Sequence, residues 1–203
     1  MSPSIEIGSR SALMIVDLQN DFLSPDGAYA RGNAVSPEAL AIVPRVTRVA
    51  QAMRKRGALI TASRFTLWPD ASGEPMISAH LRALRPFLRQ GDFEPGSRGQ
   101  ALLEPIATLV HACVDKIAYS AFFGTQLDWL LRKTGIDTLV VCGITTNGGV
   151  ATTARDAHVR DLNVVVLSDG CAAPSVSRHQ AALADLASVA SVLECDQLLM
   201  KLG

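Results

Sequence analysis

The sequence predicts an α/β protein built on a parallel sheet covered by helices on both faces. Short apolar runs lack the polar alternation expected of a sheet with one wet face. These runs are separated by segments with helical periodicity. Of the 203 residues, 48% are hydrophobic and 19% charged, which suits one domain over residues 1–203 with a sizeable core.

Each element follows from a local signal. "ALMIV", Ala12 to Val16, reads as a buried strand. "SPEALAIVPRVTRVAQAMRKRG" reads as one helix, with Ser36 as N-cap, Pro37 at the first helical position and Gly57 as the stop. "ALITAS" (58–63) and "ACVDKIAYS" (112–120) are the next strands. Between them, residues 66–97 are rich in Pro and Gly and carry Arg82, Arg85 and Arg89; they read as a cover over one end of the sheet. Thr125 is placed to cap the helix "QLDWLLRKTG", after which "DTLVVCG" (137–143) is a strand and a helix opens near Asn147. "NVVVLSD" (163–169) is a strand, "RHQAALADLASV" (178–189) a helix, and a short strand around Val192 and Leu193 leads into a C-terminal helix.

Composition excludes several function classes. Lys plus Arg equals Asp plus Glu at 19 each, so no global field attracts nucleic acid or an anionic membrane, and the partner belongs in a pocket. No signal-peptide pattern opens the chain, and no apolar run approaches the roughly 18 residues of a membrane span; a cytoplasmic location follows as the expectation. Cys113, Cys142, Cys171 and Cys195 show no CxxC spacing and sit beside strand-like segments, which predicts buried free thiols. His80, His111, His158 and His179 lack ligand spacing with one another. Neither a metal nor another cofactor is expected.

Parallel sheets carry their sites at the carboxyl ends of their strands. This selects Asp17, Ser63 and Arg64, Lys116 to Ser120, Gly143 to Gly149, and Ser168 to Cys171. The adjacent Gly148 and Gly149 in "GITTNGGV" let a substrate approach the main chain closely, and unpaired N–H groups at a helix start favour an anion. A bland alternative is that the glycines merely permit a tight strand–helix connection. The turn is no phosphate loop, for no GK[ST] follows.

"ALMIVDLQNDFL", "DKIAYSAFFGTQLDWLL" and "VVCGITTNGGVATTARDA" resemble the three signature blocks of the isochorismatase-like, or cysteine hydrolase, superfamily, in the same order. The resemblance covers nearly the whole chain. It implies a three-layer α/β/α sandwich with a six-stranded parallel sheet, a homodimer or homotetramer, and a cis peptide between Ile144 and Thr145. Amidases of that superfamily use an Asp, a Lys and a Cys, which fall on Asp17, Lys116 and Gly149. A hydrogen cannot replace a thiolate, so covalent amidase chemistry at Gly149 is excluded. Cys142 lies inside a strand; Cys171 lies on the correct edge of the sheet but without a helix N-terminus to lower its pKa. Nicotinamidase relatives carry an Asp-x-His pair after the second strand, where this chain reads "ITASRFTLWPDASG".

One branch, the isochorismatases proper, has glycine at the cysteine position and hydrolyses a vinyl ether. That reaction needs an acid rather than a protein nucleophile. Asp17 would be the acid, with burial raising its pKa and Lys116 lowering it; Asp21 and Asp115 are alternatives. Arg64 and Arg85 are candidates for pairing with a substrate carboxylate, and Ile144, Thr145, Asn147 and Gly148 would line the turn. Lys116 and the arginines could instead be solvated surface groups. The expected function is hydrolysis of a small anionic substrate. The rivals are a silent small-molecule-binding or assembly protein on the same fold, or an amidase disabled by loss of its cysteine.

Overall fold

The computed structural model describes residues 7–202. In chain order the elements are β1 (Ser11–Val16), α1 (Asn20–Leu23), α2 (Ala28–Arg31), α3 (Pro37–Ala41), α4 (Val43–Lys55), β2 (Leu59–Phe65), α5 (Ala79–Leu84), α6 (Glu104–Ala107), β3 (Ala112–Lys116), α7 (Leu127–Lys133) and β4 (Thr138–Ile144). A π-helical turn (Thr146–Val150) then runs into α8 (Ala151–Val159), followed by β5 (Asn163–Ala172), α9 (Val176–Leu186), β6 (Ser191–Leu193) and α10 (Cys195–Leu202).

The strands form one six-stranded sheet in the order β3-β2-β1-β4-β5-β6, parallel at every pairing. β1 and β4 are buried at every position, as two covered faces require. Two helix groups, α3 with α4 and α10, and α8 with α9, pack within themselves and against β5. The result is the expected three-layer α/β/α sandwich. The strand order reverses between β1 and β4, and such a switch point leaves a crevice beyond the carboxyl ends of the strands.

Several local expectations are corrected. Ser36 does accept from the Ala39 N–H at 3.2 Å, but the helix it starts breaks at Ile42, where Pro44 lacks the N–H needed to continue the ladder. β3 ends at Lys116 rather than Ser120, and as an edge strand it alternates buried and exposed positions. Cys113 is therefore exposed, while Cys142, Cys171 and Cys195 are buried; all four thiols are free. Thr125 serves helix α7 from just outside it, accepting from the Leu127 N–H at 3.2 Å. The 66–97 segment folds over a small second core in which Ala28, Leu67, Leu88 and Phe93 pack with Phe22, Tyr29, Phe65, Ile77 and Phe87. That core sits beside the carboxyl end of β2.

Gly143 fixes how β4 leaves the sheet. Its φ is 110°, and a Cβ there would lie 2.2 Å from the Val16 carbonyl oxygen. Gly143→Ala is expected to cost about 3 kcal/mol or more, because neither the conformation nor the backbone contact can relax cheaply. Urea denaturation checks this, and a loss below about 1 kcal/mol would show that the strand end can move.

Candidate active site

Asp17 is the first residue beyond β1, and its φ of 58° lies in the left-handed region, which Asp tolerates better than most side chains. Its N–H still donates to the Ser63 carbonyl at 3.2 Å, so the turn stays anchored to β2. The Ser63 hydroxyl donates to Asp17 Oδ1 at 2.7 Å. Lys116, at the end of β3, places Nζ 2.7 Å from Asp17 Oδ2. β2 lies between these two strands, so the pair must span two strand spacings of about 4.8 Å each. The four-carbon stem of lysine crosses that gap.

Alternation along β3 turns Lys116 inward with Val114 and leaves Cys113 and Asp115 outside. Lys116 is 2% and Asp17 5% exposed. Lys116 Nζ also donates to the Ala118 carbonyl at 3.1 Å and stands 5.6 Å from the centroid of the Phe65 ring, a favourable cation–π placement. Burial pushes the Asp17 carboxyl above the usual carboxylate range; the Lys116 charge and the hydrogen bonds from Lys116 and Ser63 oppose this without reversing it. Of the two opposing influences foreseen from sequence, burial is the larger. A carboxyl shifted upward is easier to protonate, which is the direction a general acid requires.

Gly149 approaches the same carboxylate from the β4 side. A Cβ built there would lie 3.5 Å from Asp17 Oδ2, 3.2 Å from the Ile144 carbonyl oxygen and 2.9 Å from Val16 Cγ1. Asp17, Lys116 and Gly149, distant in sequence, thus meet at one oxygen. The Ile144–Thr145 peptide bond is cis, as the resemblance implied. Gly148 has a packing reason to be glycine: a Cβ there would meet Thr145 Oγ1 at 2.6 Å and the Tyr119 ring at 3.1 Å.

Other expectations change. The Gly148 and Val150 N–H groups donate to the Thr145 carbonyl at 2.9 and 3.2 Å, so the π turn consumes two donors that the sequence offered to an anion. Asn147 is exposed, whereas Ile144 and Gly148 are buried and Thr145 half-buried. Arg64 is not brought to Asp17. The parallel register sets it opposite Asp115, and the two form a bidentate pair, Nε to Oδ1 at 2.7 Å and Nη2 to Oδ2 at 3.1 Å. That pair also removes Asp115 as a rival acid. Asp21 is removed too, since it accepts from the Ala28 and Phe93 N–H groups at 3.0 and 2.6 Å and ties the cover to α2. Arg85 lies on the cover, where its Nε donates to Tyr29 Oη at 2.9 Å.

Phe65 and Tyr29 were not singled out from sequence. Tyr119 fell within the strand-end range 116–120 but was given no role, although it stands three residues after Lys116 in the same block. Tyr29 had none, for "SPDGAYARG" shows neither strand nor helix periodicity. Burial pushes every thiol up: Cys113 above the usual range, Cys142 and Cys171 well above it, and Cys195 up to about 12. A cavity of about 240 Å³ lies elsewhere, at the end of β5, lined by Arg45, Asp169, Cys171, Ser175 and His179 among others. His179 there is engaged by Thr146 at 2.8 Å, and no ion pair as buried as Asp17–Lys116 accompanies it. Among the described residues, Asp17–Lys116 is the most buried of the ion pairs.

Comparison with known proteins places this site in a family. A profile of the isochorismatase domain matches residues 11–197. An uncharacterized isochorismatase family protein, YecD of Escherichia coli O157:H7, is 48% identical over 64 residues, 32% of this chain and 34% of that protein. Ureidoacrylate amidohydrolase RutB of Methylobacterium radiotolerans is 32% identical over 186 residues, 86% of this chain and 72% of its own. A protein named "Probable inactive nicotinamidase" from Arabidopsis thaliana is 29% identical over 189 residues, 89% of each chain. Among solved structures, a cysteine hydrolase from Pseudomonas syringae superimposes with a TM-score of 0.80 at 26% identity, covering 100% of this chain and 98% of that one. With the family profile spanning nearly the entire chain and the fold shared throughout, this protein belongs to the isochorismatase family of hydrolases.

Proposed function

We propose that this hydrolase acts on a small carboxylate-bearing substrate by acid–base catalysis, without a covalent intermediate. The observation that carries this reading is the buried Asp17–Lys116 pair beside Gly149, where a Cβ would stand 3.5 Å from Asp17 Oδ2 and no side chain is present. A buried carboxylate and ammonium are costly to keep as scaffold alone, and without a thiol beside them water is the available nucleophile. For a vinyl ether, the Asp17 proton would go to the methylene carbon. Water would then capture the oxocarbenium ion and return a proton to the Asp17 carboxylate, and the hemiketal would collapse to a keto acid and an alcohol. Lys116 would hold Asp17 in place and stabilise its anion after proton transfer, and Arg85 would pair with the substrate carboxylate. The backbone beside Gly149, with Ile144, Thr145 and Gly148, would bound the space for substrate and water. We further propose a homodimer or homotetramer, which the outward-facing Ile117, Tyr119, Phe123 and Trp129 support; light scattering tests it.

A second reading, a silent member of the family, is favoured by the Arabidopsis relative named as inactive. The amidohydrolase relative keeps a disabled amidase in view. A turnover screen against vinyl ethers, small amides and ureas separates these readings. Turnover that survives thiol alkylation supports the proposal; no turnover on any class supports the silent reading.

Lys116→Met is expected to displace the pH profile. If protonated Asp17 is the active form, the rate falls as pH rises through its pKa. Lys116 lowers that pKa, so its removal moves the falling limb to higher pH. Stability follows the same sign. A folded-state pKa above the unfolded value contributes stability at low pH that is lost as pH rises through the folded pKa. The variant should therefore be little destabilised in acid and, once Asp17 ionises without a partner, by about 3–5 kcal/mol. An unmoved limb in the methionine variant would argue that the two groups are uncoupled in catalysis.

A further inference from the structure

We infer that the Tyr29 hydroxyl is a positioning group that holds Arg85 as the anion-recognising side chain of this site, an inference that rests on the reading of Asp17 as its centre. Arg85 follows α5 on the cover segment and is half-buried. Its Nε donates to Tyr29 Oη at 2.9 Å, and its Nη1 to the Leu84 carbonyl at 2.9 Å. Among the described residues it has no carboxylate partner, whereas Arg31 and Arg98 are paired with Asp92 and Asp26. A guanidinium without an anion, with donors to spare, is suited to a carboxylate from outside the chain.

Tyr29 is itself fixed. Its ring packs 4.7 Å from Phe22 and edge-on at 5.2 Å from Phe87 and 6.2 Å from Phe93, centroid to centroid. The Arg85 Cζ stands 5.7 Å from the Tyr29 ring centroid. The same aromatic cluster includes Phe65, 6.2 Å from Phe22 and 5.3 Å from Phe93 between ring centroids. The Phe65 ring stands 5.6 Å from Lys116 Nζ, so the cage that holds Tyr29 abuts the Asp17–Lys116 pair. A long, flexible arginine held by a caged phenol loses less freedom when an anion arrives.

The test reads arginine chemistry rather than turnover. The full chain is treated with phenylglyoxal, with and without sodium benzoate, and adducts are quantified at each arginine by peptide mass spectrometry. Benzoate is expected to protect Arg85 in the wild type but not the exposed Arg89 or Arg178. In Tyr29→Phe, which keeps the ring, protection at Arg85 is expected to fall about tenfold, the effect of one hydrogen bond to a charged group. The same two-state comparison by benzoate titration of Arg85→Gln should show affinity weakened at least as much. Equal protection in wild type and Tyr29→Phe, or wild-type protection no greater at Arg85 than at Arg89, would overturn the inference. An Asp17→Asn variant that stays active would remove the acid and leave this subsite standing, whereas absent protection in an enzyme that needs Asp17 would remove the subsite alone.

Discussion

Asp17→Asn is expected to lower turnover by about 100- to 10,000-fold, the range for losing general acid–base help, while leaving the fold intact. The amide matches the carboxylate in shape, and with its oxygen turned to Lys116 its NH2 takes the Oδ1 position, where the Ser63 hydroxyl, 2.7 Å away, rotates from donor to acceptor. The Lys116 ammonium keeps its hydrogen bond to the Ala118 carbonyl and can still donate to an amide oxygen. It loses its counter-charge, and some stability will go with it. What the amide cannot do is give a proton and become an anion stabilised by Lys116. Near-UV circular dichroism and kcat on the best substrate from the screen, measured on the same preparation, check both halves. A folded Asn variant turning over near the wild-type rate would remove Asp17 from the mechanism.

The convergence of Asp17 and Lys116 was legible because it depends on quantities that a sequence carries. Asp17 ends an apolar run and Lys116 lies in a strand-like run within a block that resembles the family's, and a parallel sheet brings strand ends to one edge whatever the exact strand order. Arg64 shows where that reasoning stops. It too ends an apolar run, but its fate is set by the register of β2 against β3, which depends on packing between elements distant in the chain. The exposed Cys113 has the same origin: only the strand order places β3 at an edge. Tyr29 and Arg85 meet because the cover folds back over α2, and no periodicity in either segment announces that contact. The break at Ile42, by contrast, was readable from Pro44 and should have been anticipated.

Gly149→Cys is expected to abolish native turnover and create a reactive thiol. The new Cβ would sit 3.5 Å from Asp17 Oδ2, and Val16 Cγ1, only 2.9 Å away, would have to yield by a few tenths of an ångström. Overpacking of this kind costs about 1–3 kcal/mol, small enough for a stable protein. The sulfur would occupy space that the proposed mechanism leaves for substrate or water. The start of a helical turn and a nearby ammonium would both lower its pKa. Iodoacetamide should therefore label position 149 in the variant. In the wild type it should label the exposed Cys113 but not Cys142, Cys171 or Cys195, whose thiols burial keeps protonated. Peptide-resolved mass spectrometry is needed, because the Cys113 adduct would otherwise mask the result. Amidase or esterase activity should be weak at most, since a thiol beside Asp17 and Lys116 does not supply an amide-binding pocket. Strong amidase activity would show instead that the wild type is an amidase lacking only its sulfur. Inactivation of the wild type by alkylation mapped to Cys171 would place the nucleophile at the end of β5 and move the chemistry away from Gly149.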